Sequence, residues 1–317
     1  MAITWWGIKA SIATLNAYIF CSRKKKKVLE HSTWSARRSQ RVTELDAIPG
    51  MPNGMPQANA DMVAMTLSPP AEHASGAICV VNISSEHVPG FCLGGSNAYL
   101  NAYDLVRLGK NPEAVSATRE RVDQALAELV GQSAKDIYFV AAELNGTGIR
   151  FYGDICLVLE SPENLAQSVI LESNSYDLVR APKSAMTTTP ATLLQEAQHM
   201  SGRWGDDLSA VAAIKIFAYR QSQRRLTTGQ VSDGLLDDED YIEVLRIGSF
   251  SVKDVKEARL SAASVAEDGR IDERLRSGPI PDAASLKWRH QRRQAERSLV
   301  QHGVPVRVVS TTSRTRS

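Results

Sequence analysis

From about Ala77 onward the chain alternates short apolar runs with longer stretches of helical spacing. Ala77-Ile-Cys-Val-Val-Asn-Ile83, Asp136–Ala142, Gly153–Leu159, Ser168–Leu171 and Tyr241–Ile247 are short apolar runs, most of them bounded by glycine or small polar residues. That is the form of strands buried in a sheet. Between them, Ser96–Gly109, Pro112–Gly131, Thr192–Gly202 and Asp207–Gln221 read as helices. In Pro112–Gly131 the apolar residues Val115, Val122, Leu126, Leu129 and Val130 fall at helical spacing, with Asn111 as a cap and Pro112 at the first position. Asp207–Gln221 places Leu208, Val211, Ile214, Ile216 and Phe217 around a largely buried cylinder. Ser249–Leu260 completes the pattern with a short strand or turn near Val255. Strands and helices interleaved in this way predict an α+β fold.

The flanks break the pattern. Arg37 to about Pro70 has no sustained period and reads as a linker. Residues 3–21 are apolar on balance but interrupted by Lys9 and Asn16, and Arg23-Lys-Lys-Lys-Lys27 follows at once. This order suits a membrane-surface segment over residues 3–27, or a leader, better than a signal peptide, whose charges precede the apolar run. After Ala262, Arg270–His302 reads as a charged helix broken by Pro279 and Pro281, and the end is polar and basic, with Arg307, Arg314 and Arg316. The expected organisation is a basic leader and linker over residues 1–70, one domain over 71–262 and a charged, partly disordered tail over 263–317.

Charge sharpens that division. The net charge is +2, yet residues 1–50 carry +6, residues 270–317 carry +7 and the middle about −11. An acidic centre with basic ends argues against specific nucleic-acid recognition by the domain and for functional tails. The four cysteines have no C-x-x-C spacing, which predicts a fold without disulfides or structural zinc. Phosphate-loop, dinucleotide-loop and H-E-x-x-H motifs are absent. His199 and Trp204 read as packing residues, and the acidic stretch from Asp233 to Asp240 lacks the spacing of a calcium loop.

The candidate chemistry begins in Asn145-Gly-Thr-Gly-Ile-Arg-Phe-Tyr-Gly-Asp-Ile-Cys-Leu-Val-Leu159, a glycine-punctuated turn feeding a buried strand. Arg150 stands at the mouth of that strand, where its partner is either an anionic ligand such as a phosphate or a structural carboxylate. Ser173-Asn-Ser175 follows the next strand and Glu243 lies on a later one, within Asp240-Tyr-Ile-Glu-Val-Leu-Arg-Ile-Gly-Ser-Phe250. Over about Ala134–Leu260 this order resembles the mono-ADP-ribosyltransferase superfamily, in its divergent toxin and effector branches.

The resemblance implies an ADP-ribosyltransferase-like split β core that binds NAD as substrate and modifies a protein acceptor, in a secreted or translocated bacterial effector. Glu243 would stabilise the oxocarbenium charge that develops on the ribose as nicotinamide leaves. Ser175, or its neighbour Ser173, would fix the Glu243 rotamer. Arg150 would hold NAD, and Tyr152 or Tyr176 would stack on nicotinamide. Tyr241 departs from the pattern, because arginine-modifying members carry Glu or Gln at that place; arginine as acceptor is therefore in doubt. Two other readings stay open. One is a catalytically silent interaction module docked through its basic tails. The other is a cysteine hydrolase using Cys92 with His87, in a segment where Gly94 and Gly95 offer backbone donors.

Overall fold

The computed structural model describes residues 55–67, 76–94, 99–110, 114–161, 165, 168–180, 189–220, 226–235 and 241–310. The expectations placed on residues 3–27, 236–240 and 311–317 lie outside the described residues. The fold is α+β: one eight-stranded mixed sheet with ten α-helices among the described residues. The strands are β1 (Ile78–Ile83), β2 (Ile137–Glu143), β3 (Ile155–Leu159), β4 (Val169–Leu171), β5 (Ser201–Arg203), β6 (Glu243–Ile247), β7 (Val255–Ser261) and β8 (Val306–Val309). Their order across the sheet is β5-β4-β6-β2-β1-β3-β7-β8, antiparallel throughout except for β7 and β8.

Register assigns the faces. Leu171, Glu243, Ala141, Val80, Val158 and Glu257 stand opposite one another in a row across six strands, and residues paired in this way share a face. The other face, with Ile170, Val244, Val140 and Leu157, is wholly apolar in this row. It belongs to the main core with α1 (Met55–Leu67), α7 (Trp204–Arg220) and α8 (Thr228–Leu235), through Val63, Val211, Ile216 and Val231. On the Glu243 face a second apolar cluster lies beneath α4 (Ala117–Val130) and α6 (Pro190–Met200), joining Val122 and Leu126 to Leu193, Leu171 and Leu245. The remaining helices are α2 (Val88–Leu93), α3 (Ala102–Arg107), α5 (Asp177–Arg180), α9 (Ala262–Ser277) and α10 (Ala283–Gln301).

Several expected boundaries move for local reasons. The helix anticipated from Pro112 starts at Ala117, because the Ser116 side chain accepts from the Arg119 N–H and caps it there; Gly131, at φ 68°, ends it. The stretch read as linker contains α1, whose Asn59 side chain accepts from the Leu226 N–H at 2.8 Å and whose Val63 and Leu67 are buried. The charged helix divides at Gly278–Pro281 into α9 and α10. That hairpin then delivers β8 parallel to β7, so the sheet continues beyond the anticipated boundary at residue 262. The fully buried Arg292 of α10 fastens the hairpin to the domain, pairing with Asp268 at 2.9 Å and with Asp154 at 3.0 Å.

Between Glu143 and Ile155 the chain crosses the Glu243 face of the sheet rather than leaving it. Asn82 donates to the carbonyls of Thr147 and Gly153 at 3.0 and 2.9 Å. Arg259 donates to those of Leu144 and Gly146, both at 3.2 Å. The buried Glu143 carboxylate accepts from the Leu144 and Gly148 N–H groups. Gly148 is required here: its φ is +65°, and a Cβ would lie 2.0 Å from Asn82 Oδ1. Polar side chains on an otherwise apolar sheet thus serve to satisfy a buried loop backbone.

Candidate functional site

Glu243 opens β6 beside the end of β4, and the turn after β4 folds back over it. The Ser175 N–H donates to Glu243 Oε2 at 2.9 Å. Tyr241 Oη donates to Glu243 Oε1 at a long 3.4 Å. Tyr152 reaches in from the crossing loop, with its ring edge-on to that of Tyr241 at 6.4 Å. Asn174 accepts from the Tyr176 N–H, which shapes the turn.

From the other side comes Arg119, in the first turn of α4. Its Nη2 pairs with Asp123 one turn along the helix at 2.7 Å, and its Nη1 donates to Ser175 Oγ at 3.3 Å. The guanidinium carbon lies 4.2 Å from the centre of the Phe139 ring and 5.0 Å from that of Tyr176. Such stacking holds a planar cation in place while leaving part of its donor fork unused. Arg119 is 7% exposed and Glu243 2%.

Burial governs the electrostatics. Removal from water favours the neutral carboxylic acid and pushes Glu243 up from the usual glutamate range to about 7; Arg119 and the Ser175 and Tyr241 hydrogen bonds work the other way. Burial also raises the Tyr241 and Tyr152 hydroxyls, and the nearby Glu243 charge adds to both shifts, so these phenols stay protonated. Glu243 is therefore poised between acid and base near neutrality, with two phenols, a backbone N–H and a guanidinium around it.

Five of the six anticipated residues meet here or in the adjoining turn: Glu243, Ser175, Tyr152, Tyr176 and Ser173. Ser173 is buried, and its Oγ has no hydrogen-bond partner among the described residues. Arg150 does not join them. The expectation that it opens the strand is corrected: it belongs to a 3-10 turn, Arg150–Tyr152, ahead of β3, its side chain is exposed, and its Nη2 lies 3.5 Å from Ser264 Oγ on α9. In a turn, neighbouring side chains diverge, so Tyr152 faces the carboxylate while Arg150 faces α9. The cation beside Glu243 is instead Arg119, which lies outside the segment that carried the resemblance. Its visible sequence signal is modest: an Arg and an Asp one helical turn apart, Arg119 and Asp123.

The thiol constellation does not assemble. Burial raises the Cys92 thiol to about 11, and His87 pairs with Glu86 at 3.4 Å while burial lowers its pKa. No hydrogen bond joins His87 to Cys92 among the described residues. Nor do the described residues contain a helix long and apolar enough to cross a membrane, or a cluster of side chains that could hold a metal ion. Compared with protein-family models, curated proteins and solved structures, the chain has no significant match.

Proposed function

We propose that this chain is an ADP-ribosyltransferase-like domain that cleaves NAD at Glu243 and transfers the ADP-ribosyl group to a protein acceptor, as a secreted or translocated effector would. The observation that supports the reading is the hold of the Ser175 backbone N–H on Glu243, with Arg119 bound to the side chain of that serine. In the reaction the bond between ribose and nicotinamide breaks and its electron pair leaves with nicotinamide. The ribose carbon becomes cationic, the ionised Glu243 stabilises it, and a lone pair of the acceptor closes the new bond as the acceptor loses a proton. Ser175 keeps the carboxylate from rotating away. Arg119 takes the part first given to Arg150: it favours the ionised form of Glu243 and offers its remaining donors to the substrate. Tyr152 and Tyr176 supply ring faces beside the carboxylate. Tyr241 leaves the site without a second carboxylate two residues before Glu243, which disfavours a guanidinium acceptor.

The test is nicotinamide release by the full chain against Glu243→Gln, which preserves size and most of the hydrogen bonding. Release that the variant lacks supports the reading; a wild-type protein that neither binds nor cleaves NAD ends it. A second reading, a catalytically silent interaction module docked through the basic ends, is favoured by one observation: Glu243 is only 2% exposed. In that case Glu243 organises the turn after β4 and nothing more, and Glu243→Gln alters stability without altering any turnover.

A further inference from the structure

At one end the sheet stops at β8. The Ala258 N–H of β7 donates to the Pro305 carbonyl at 2.9 Å, and the parallel pairing sets Ala258 opposite Val306 and Leu260 opposite Val308. In a parallel ladder the bonds to one neighbour fall on alternate residues, here the Pro305 carbonyl, Arg307 and the Val309 N–H. The N–H and C=O groups of Val306 and Val308 therefore point away from β7. Among the described residues no strand lies on that side. We propose that this edge pairs with the same edge of a second copy of the chain, antiparallel about Val308, joining two eight-stranded sheets into one.

Exposed sheet edges are commonly guarded by a charge, a bulge or a covering segment. Arg307 is the one charged residue of β8, and it stands guard poorly: Glu257 of β7 holds its Nε at 3.1 Å and draws the side chain back over the sheet. The other three residues are valines, and Val308 is 56% exposed. Register then selects the partner. Centred on Val308, two antiparallel copies form hydrogen-bonded pairs of Val308 with Val308 and of Val306 with Ser310. Arg307 then faces Val309 across the junction, so no like charges stand opposite each other, and valine packs on valine at the centre. Centred on Arg307, the same edges would set two guanidinium groups face to face. Centred on Val306, they would bring Pro305 opposite Arg307 and call on the Val304 N–H, which is already given to the Leu299 carbonyl. An acidic peptide would find Arg307 engaged by Glu257, so charge gives it no advantage over the chain's own strand. One short strand per copy buries little surface, so the association is weak and reversible.

The inference is independent of NAD cleavage, because β2, β1, β3 and β7 lie between β6 and the edge strand. Nicotinamide release per chain should therefore be the same whether the copies are paired or separate. Sedimentation of the full chain over about 5 µM to 1 mM should show a reversible monomer–dimer equilibrium, the range that a small interface calls for. Val308→Pro removes only an outward N–H and leaves the β7–β8 bonds in place. Both central bonds of the junction are lost, so this variant should stay folded and monomeric throughout. Val308→Cys sets two thiols at the symmetric hydrogen-bonded pair, where Cα atoms stand about 5.5 Å apart, within disulfide reach. Under mild oxidation it should form covalent dimer at least about tenfold faster than Val306→Cys, whose counterpart is Ser310. The wild-type chain sets the background from its native cysteines. A chain that stays monomeric across the whole range overturns the inference. A folded Val308→Pro that still dimerises does so too, since the junction would then lie elsewhere. Equal rates for the two cysteine variants overturn the register and the proposal with it.

Discussion

The backbone N–H of Ser175 donates to the Glu243 carboxylate at 2.9 Å, joining the turn after β4 to the first residue of β6. That bond lies under a lid of tyrosines, so the proton on Glu243 and the stability of the fold are linked. The folded-state pKa, about 7, lies above that of an unfolded glutamate. Stability from this group is therefore fully present below about pH 4.5 and is lost as pH rises through 7, by on the order of 3 kcal/mol. Glu243→Gln removes the titration. The variant should match the wild type in acid and melt higher than it above about pH 8, where the wild type must bury an ionised carboxylate. Thermal melts across this range check the sign. A wild type that grows more stable between pH 5 and 8 relative to the variant contradicts it.

Turnover should follow the opposite trend. The ionised carboxylate stabilises the cationic transition state, so nicotinamide release should rise with pH through about 7, just where the fold weakens. A flat profile would show that Glu243 is not the group that matters.

Arg119 is expected to be costly to remove alone. Arg119→Met leaves Asp123 buried and unpaired and should destabilise the fold by about 3–5 kcal/mol, whereas Arg119→Met with Asp123→Leu should recover most of that loss. Both variants should move the pH midpoint of turnover upward, since Arg119 favours the ionised Glu243. Denaturant unfolding and pH–rate curves report the two effects separately.

Arg150→Ala, by contrast, should be nearly silent, within about 0.5 kcal/mol in stability, as is usual for an exposed residue. Its KM for NAD should also be unchanged. A KM raised tenfold would return Arg150 to the site and displace Arg119 from the role proposed for it.

Gly148→Ala should cost more than about 2 kcal/mol, because it combines a positive φ with a Cβ placed against Asn82. Since the same loop carries Tyr152 to Glu243, turnover should fall in whatever protein remains folded. Unfolding curves set beside activity per folded molecule make the check.

How far the chain could be read before its structure depended on how local each cause is. β1, β2 and β3 were legible because their apolar runs are short and bounded, and Ser173–Ser175 with Glu243 because each follows or opens such a run. Arg119 was not, since its significance comes from stacking on Phe139 and Tyr176, residues on other elements. Arg150 misled because the same glycine-rich turn serves either a ligand or a loop crossing the sheet, and only Asn82 and Arg259 decide between them. The strand β8 escaped notice because Val306-Arg-Val-Val309 is half exposed and pairs in parallel with a strand on the other side of a helical hairpin.

The position of β6 between β2 and β4 has a consequence in time. Both neighbours precede it by many residues, and no short turn brings it to them; its pairing is non-local and carries a loop-closure cost. Until β6 inserts, Leu171 and Ala141 have an open seam between them, and Ser175 has no carboxylate to hold. The site therefore cannot form until the chain has been made past β6 and that strand has paired, and whatever chemistry Glu243 performs is withheld from any copy that ends short of it.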